Sequence, residues 1–462
     1  MVQSHDFEAA LALSRFGLGS GSYGWHAAGG DARAALKHEI KAGSAALRID
    51  APLLSTPELL TQYYDYTQAV KALRKQTPPD DGSKLPNPVA ERNLDEIGAR
   101  FNTAVMKPRI GFNERLVMFW ANHFAVATDK SSPIRITAGA FEREAIRPNV
   151  FGSFKDLVMA VETHPCMLTY LDNISSIGPQ SRHGRSSRLG LNENLAREIM
   201  ELHILGVGSG YTQADVTAFA AALTGWSVKS FSESSEGAGD GFNFIDTNHQ
   251  PGEQTVLGKV YPDSGFFQAA DILIDLASRP ATARHITFKL ARHFVADVPP
   301  PALVDRLMEN FLATGGDLAS VYETLIESDE AWNPACVKIR SPQEHLAAMI
   351  RTSGVTIRPQ TEKQALYVMG QSLWTPSGPN GFPDTFAAWA TPEGLSTRLD
   401  VTALIAAQII RAFPGHNIDP RELAARCLGP RLTDATLQAI SHAETVPQGL
   451  SLVFMSPEFL RR

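Results

Sequence analysis

Cysteine is scarce in this chain. Cys166, Cys336 and Cys427 are the only three among 462 residues, far apart and without CxxC spacing. That disfavours both a disulfide framework and a thiolate zinc site. A basic surplus is missing too, since 42 Lys+Arg face 49 Asp+Glu and the formal charge is -7. Nucleic-acid binders normally carry a basic excess or a basic block, so nucleic acid is not an expected partner. No apolar run approaches the roughly 18 residues that a membrane span needs. Met1 to Arg15 has no basic segment leading into an apolar core, so the cytoplasm is the expected compartment. The chain contains no GxSxG elbow and no GKS or GKT phosphate loop. Gly17-Leu18-Gly19 and Gly206-Val207-Gly208-Ser209-Gly210 lack the strand–GxGxxG–helix context, which argues against nucleotide binding. Alternating apolar and polar segments are few, and no repeat of fixed period points to a solenoid.

What the chain does have is an ordinary globular balance, 44% hydrophobic and 20% charged. Helix signals recur along it. Ser341-Pro342-Gln343-Glu344 is a capping box with proline at the first helical position. Thr212 to Asp215 offers a second cap, followed by Val216, Phe219, Ala220 and Leu223 at helical spacing. Helices are expected near 89–106, 113–127, 138–147, 153–162, 191–205, 266–278, 281–296, 301–314, 317–328 and 399–412. The best strand candidates, Phe242 to Ile245 and Thr255 to Leu257, would form one small hairpin. Helical periodicity places Trp120, Phe124, Leu195, Leu202, Phe219, Leu223, Trp226 and Leu290 in the core. The fold class that follows is mainly α, a single large multi-helical domain over 1–462 with at most a small β-hairpin. Its motif-dense core spans about 110–300, and a helical and aromatic-loop portion covers 301–462. Long polar loops are expected at 77–88, at 173–190 with Arg182, Arg185 and Arg188 around His183, at 229–265 and at 374–393; loops of this length are usually functional.

The densest polar run is Asn192-Glu193-Asn194-Leu195-Ala196-Arg197-Glu198-Ile199-Met200-Glu201-Leu202-His203. At about 100° per residue, Asn194, Glu198 and Glu201 share roughly a 60° arc with Arg197 beside them. Leu195, Ile199, Met200, Leu202 and Ile204 spread over most of the remaining circumference. A helix so largely apolar is expected to be buried, and buried carboxylates need a cation, a metal or a proton. The competing reading is a solvated stripe with an Arg197–Glu201 pair at i,i+4. On a regular helix His203 lies opposite the glutamates, which excludes a one-helix metal motif. Three other histidines are candidates: His123 on an apolar helix face, His164 ahead of Pro165, and His249 in the loop Asp246-Thr247-Asn248-His249. Each has a structural reading beside the functional one: His123 as a hydrogen-bonded core residue, and Thr163 or His164 as a helix cap. Trp374 and Trp389 could stack a sugar ring or anchor the late segment to the core.

At these residues the chain resembles the bacterial family catalogued as domain-of-unknown-function family 1800. The resemblance is carried by Arg15-Phe16-Gly17-Leu18-Gly19, Trp120-Ala121-Asn122-His123-Phe124, and His164-Pro165-Cys166-Met167-Leu168 with Tyr170-Leu171-Asp172-Asn173. It continues through Asn192-Glu193-Asn194, Ala196-Arg197-Glu198, Glu201-Leu202-His203, Gly210-Tyr211-Thr212-Gln213 and Leu223-Thr224-Gly225-Trp226. His249, Leu257-Gly258 and Lys289-Leu290-Ala291-Arg292 complete it, so that it spans nearly the whole chain. The resemblance implies a largely helical protein, and it implies no activity. It also implies an alkaline-phosphatase-like companion family as a possible partner, and frequent export, which makes the periplasm the alternative compartment. The family's common His-Asp pair is His249-Gln250 here.

Two functional expectations follow. One is an acid–base or metal-assisted, hydrolase-like enzyme acting on a polar or glycan-like substrate. Its catalytic groups would be Glu198, Glu201, His249, His164 and His123. Asn192, Asn194, Arg197, Trp374 and Trp389 would bind the ligand, and a divalent metal such as Zn, Mn or Fe is a possible cofactor. The other is a non-catalytic ligand-binding or partner protein in which the same polar groups form a buried structural network around Arg197.

Overall fold

A computed structural model describes residues 5–21, 24–49, 52–76, 85–106, 110–186, 190–229, 241–414 and 418–462. Residues 77–84 of the expected Pro-rich loop, Arg188, and residues 230–240 of the Ser/Gly-rich excursion lie outside the described residues. Among those described, twenty-two α-helices alternate with short 3-10 and π turns, and the β structure amounts to two two-stranded sheets. The chain is mainly α.

Local chemistry sets the helix ends. Ser341 accepts from the Glu344 amide while Glu344 reaches back to the Ser341 amide, closing the expected capping box on Pro342–Ser353. Thr212 and Asp215 do the same for Gln213–Leu223. The helices Pro88–Val105, Phe112–His123, Phe154–Glu162, Phe266–Ala277 and Pro280–Phe294 fall close to their expected spans. None of the described helices is long and apolar enough to cross a membrane.

The strands differ from expectation in pairing. Phe242–Phe244 runs antiparallel to Trp226–Val228, and Gln254–Val256 pairs with Lys259–Tyr261. Leu257 and Gly258 are the reason for the second pairing. Both have positive φ (49° and 78°), the two-residue turn that folds a strand straight back on itself. Two ribbons therefore replace the single hairpin.

One continuous apolar core runs from Ala9 to Phe459, with a satellite of Leu59, Val89, Ile136 and Ala140. Trp120 and Tyr322 sit within it, the indole N–H donating to the phenol oxygen at 2.7 Å and the phenol donating to the Val150 carbonyl at 3.0 Å. Trp120, Phe124, Leu195, Phe219, Leu223, Trp226 and Leu290 are all buried. Leu202, also expected in the core, is only half-buried, since it lies about 40° around the helix from the half-buried Glu198. Some of the buried charge is paired: Arg147 bridges Glu114 and Glu142 at 3.0 and 2.9 Å, and Arg100 holds the other side of Glu142 at 2.8 Å.

Candidate functional site

The polar helix is short. Asn194–Glu198 is α-helical and passes directly into a π turn over Ile199–His203, sealed by the Ile204 amide donating to the Ile199 carbonyl at 2.9 Å. Asn192 caps its start, its side-chain oxygen accepting from the Asn194 amide. The i→i+5 winding brings residues five apart nearly over one another. His203 thereby comes within electrostatic reach of Glu198, where regular winding would set it on the far side.

Around this helix the polar groups interlock. Arg197 donates to Glu193 at 3.0 Å and to Gln213 at 2.8 Å, and stands 3.6 Å from Glu201. Thr217 and Gln213 hold the remaining Glu193 acceptor sites at 2.7 and 2.8 Å. Tyr211 donates its hydroxyl to Glu201. Glu198 and Glu201 are both half-buried. Burial pushes the Glu198 carboxyl above its ordinary range; His203 works against that shift and Glu201 adds to it. Burial likewise raises the Tyr170 phenol to about 12, with the Glu198 charge contributing. Lys130 closes the edge by donating to the Tyr170 carbonyl and pairing with Asp172 at 2.7 Å, and the Asn192 amide reaches the Asp172 carbonyl at 3.4 Å. Asn194 itself is exposed.

The three candidate histidines have separate surroundings. His123 donates from Nε2 to the His203 carbonyl at 2.9 Å and accepts at Nδ1 from Lys289 at 2.7 Å. Burial, reinforced by Lys289, keeps this imidazole well below its ordinary pKa and hence neutral. His164 caps the helix Pro165–Tyr170 through Nδ1, and its Nε2 meets Glu144 at 3.2 Å and Thr56 at 3.3 Å. His249 donates from Nδ1 to the Thr224 carbonyl at 2.9 Å, with Nε2 3.6 Å from Asp263. Glu198 and Glu201 thus share one patch with Arg197, while each histidine is engaged elsewhere. No group of three or more His, Cys, Asp or Glu among the described residues is arranged to hold a metal ion.

Trp374 and Trp389 do come together. With Phe382 and Asp384 they line a cleft of about 60 Å³ over the helix Phe112–His123. Trp374 is nearly buried and donates its indole N–H to Glu142 at 3.2 Å; Trp389 donates to the Pro383 carbonyl at 2.8 Å. The cleft floor is an ionic network. Asp384 accepts from His293 at 2.8 Å and pairs with Lys338 at 3.1 Å, and Glu344 bridges Arg115 at 3.0 Å and Arg462 at 2.9 Å. His293 takes its other hydrogen bond from Arg115 at 2.9 Å, and burial lowers its pKa to about 4.

A family model described as "Protein of unknown function (DUF1800)" matches residues 12–461. The chain belongs to the DUF1800 family. No curated protein and no solved structure matches it.

In this DUF1800 member the strings that are separate in sequence meet in space. Residues of the Asn192, Arg197–Glu201, Tyr211–Gln213 and Tyr170–Asn173 segments all touch the Glu198 patch. Sequence reasoning passed over Tyr211, Tyr170, Glu162, Lys289, His293 and Asp384. The Gly-Tyr-Thr-Gln string was visible, yet nothing in its spacing aims Tyr211 at Glu201. Glu162 pairs with His203 at 2.8 Å and both are fully buried, across a 41-residue gap that no local pattern spans.

Proposed function

We propose that this protein is an acid–base enzyme of hydrolase-like chemistry acting on a polar, glycan-like substrate, with Glu198 giving a proton and Glu201 receiving one. The observation behind this reading is the carboxyl pair itself. Glu198 is biased by burial toward its protonated form, while Glu201, one turn on, is held by Arg197 and Tyr211. Two carboxyl groups in unlike surroundings can divide acid and base roles, as glycoside-cleaving pairs do. Asn192, Arg197, Gln213 and Tyr211 supply the amide, guanidinium and hydroxyl groups that suit a hydroxyl-rich ligand. His123, His164 and His249 enter this reading as supports of the scaffold.

A second reading draws on that same engagement of the histidines. A non-catalytic ligand-binding protein would use the polar network structurally and hold its ligand in the cleft of Trp374 and Trp389.

A panel of aryl glycosides, esters and oligosaccharides separates the two. Under the enzyme reading one class is turned over, and Glu198→Gln and Glu201→Gln each lower kcat by about 10²- to 10⁴-fold at an unchanged melting temperature. Oligosaccharide binding without turnover, lost on Trp389→Ala and kept in Glu198→Gln, would replace it with the binding reading.

A further inference from the structure

Beside the aromatic cleft, and sharing Leu373 with it, lies a larger one of about 440 Å³. It opens between the helices Pro88–Val105, Ser132–Phe141 and Pro359–Val368. Two cations face it. Arg135 uses Nε to donate to the Thr128 carbonyl at 3.1 Å, which leaves the terminal fork of its guanidinium for another acceptor. Lys363 is held by a single neutral contact, to the Asn93 side-chain oxygen at 3.1 Å. Among the described residues no carboxylate comes within 4.0 Å of either; Asp129, the one acid in the lining, pairs with neither. Burial lowers the pKa of Lys363, and the Arg135 charge lowers it further, so the two cations sense each other without a shared counter-charge.

Arg135 is exposed and Lys363 half-buried, and an anion placed between them would relieve their mutual repulsion. The rest of the lining suits one that carries hydroxyl groups. Asn87, Gln360 and Gln364 bring amides, Ser132 and Thr375 bring hydroxyls, and Tyr367 stands 69% exposed at the rim, where its ring can cover a ligand face. Ser132 also begins a ten-residue helix, so the N-terminus of that helix lies at the edge of the same space. On a chain of net charge -7 this is a local reversal of sign.

We infer that this cleft binds an oxyanion group, a carboxylate, sulfate or phosphate, with Arg135 and Lys363 as its ligands and Tyr367 covering whatever carries it. The inference does not depend on the acid–base reading, because none of its residues belongs to the Glu198 patch. The oxyanion is either free or borne on a sugar chain, and one titration distinguishes the sources. Calorimetry on the full chain uses inorganic phosphate, a galacturonate trimer and a neutral galactose trimer as probes. Phosphate and galacturonate bind, while the neutral trimer does not. Arg135→Gln and Lys363→Gln each weaken binding about tenfold, Lys363→Arg retains it, and Glu198→Gln leaves it unchanged. A galacturonate advantage over phosphate that disappears in Tyr367→Ala assigns the site to an anionic glycan; equal affinities assign it to the free oxyanion. Absence of oxyanion binding, or wild-type affinity in both glutamine variants, overturns the inference.

Discussion

Glu362 shows how far the fate of a single residue can depart from its local sequence. It stands among polar neighbours in Gln360-Thr361-Glu362-Lys363-Gln364. The fold instead leaves it 2% exposed, with one carboxyl oxygen lacking any hydrogen-bond partner. Burial alone pushes its pKa to about 8. The folded protein therefore keeps a proton on Glu362 at neutral pH, whereas the unfolded chain releases it above about 4.5. A raised acid pKa contributes stability that is whole below 4.5 and lost as pH climbs through 8. Glu362→Gln retains the shape of the neutral acid and has no proton to lose. It should raise the melting temperature at pH 8 and leave it nearly unchanged at pH 4.5. Equal shifts at both pH values would mean that the carboxyl is solvated. Glu198 was more legible because it stands in a polar stripe on an apolar helix, and the structure does half-bury it.

Among the elements, caps carried the most readable information and windings the least. Both caps named from sequence are present, each closed as a capping box. Nothing in Ile199-Met200-Glu201-Leu202-His203 announces a π turn, because that winding is set by what packs around the segment. Its consequence is the approach of His203 to Glu198. The strands were found but paired wrongly, since the turn at Leu257-Gly258 asks leucine to take a positive φ that sequence patterns seldom assign to it. Asp215 ties two of these elements together. One of its oxygens closes the cap on Gln213–Leu223 through the Thr212 amide at 2.8 Å, and the other accepts from the Leu257 amide at 2.6 Å in the adjoining ribbon. Thr212→Ala removes the hydroxyl that accepts from the Asp215 amide and donates to its carboxylate, and should cost about 1 kcal/mol. Asp215→Ala also leaves the Leu257 amide without its acceptor and should cost roughly 2–4 kcal/mol in urea unfolding. Equal costs for the two substitutions would show that the ribbon does not lean on the helix.

For the whole molecule, the helical class was legible because caps and 3.6-residue periodicity are local. The ion networks were not, because they close over distance: Lys289 finds His123 166 positions away, and Arg462 finds Glu344 118 away. These networks and their buried histidines also set how stability responds to pH. Burial holds His285 and His293 at about 4 and His345 at about 3, against an ordinary 6.5. Each is neutral when folded and takes up a proton on unfolding below 6.5, so each contributes stability that is present above that value and lost as pH falls through its folded pKa. Glu344, lowered to about 2 against the opposing effect of burial by Arg115 and Arg462, extends the same loss below 4.5. Glu362 acts in the other direction up to about 8. Between 4.5 and 6.5 these three histidines, together with His123, which burial also holds low, outweigh one glutamate, and between 6.5 and 8 that glutamate acts alone among these groups. The melting temperature should therefore peak near pH 6.5, fall steeply on the acid side and shallowly on the alkaline side. In Glu362→Gln the alkaline decline should flatten and the acid limb should persist. His345→Gln can still donate to the Phe454 carbonyl and should make the acid limb less steep, removing one of the protons taken up there. A profile that stays level from pH 7 down to 4 would show that these imidazoles are reached by solvent, and the core they report on would have to be looser than its packing.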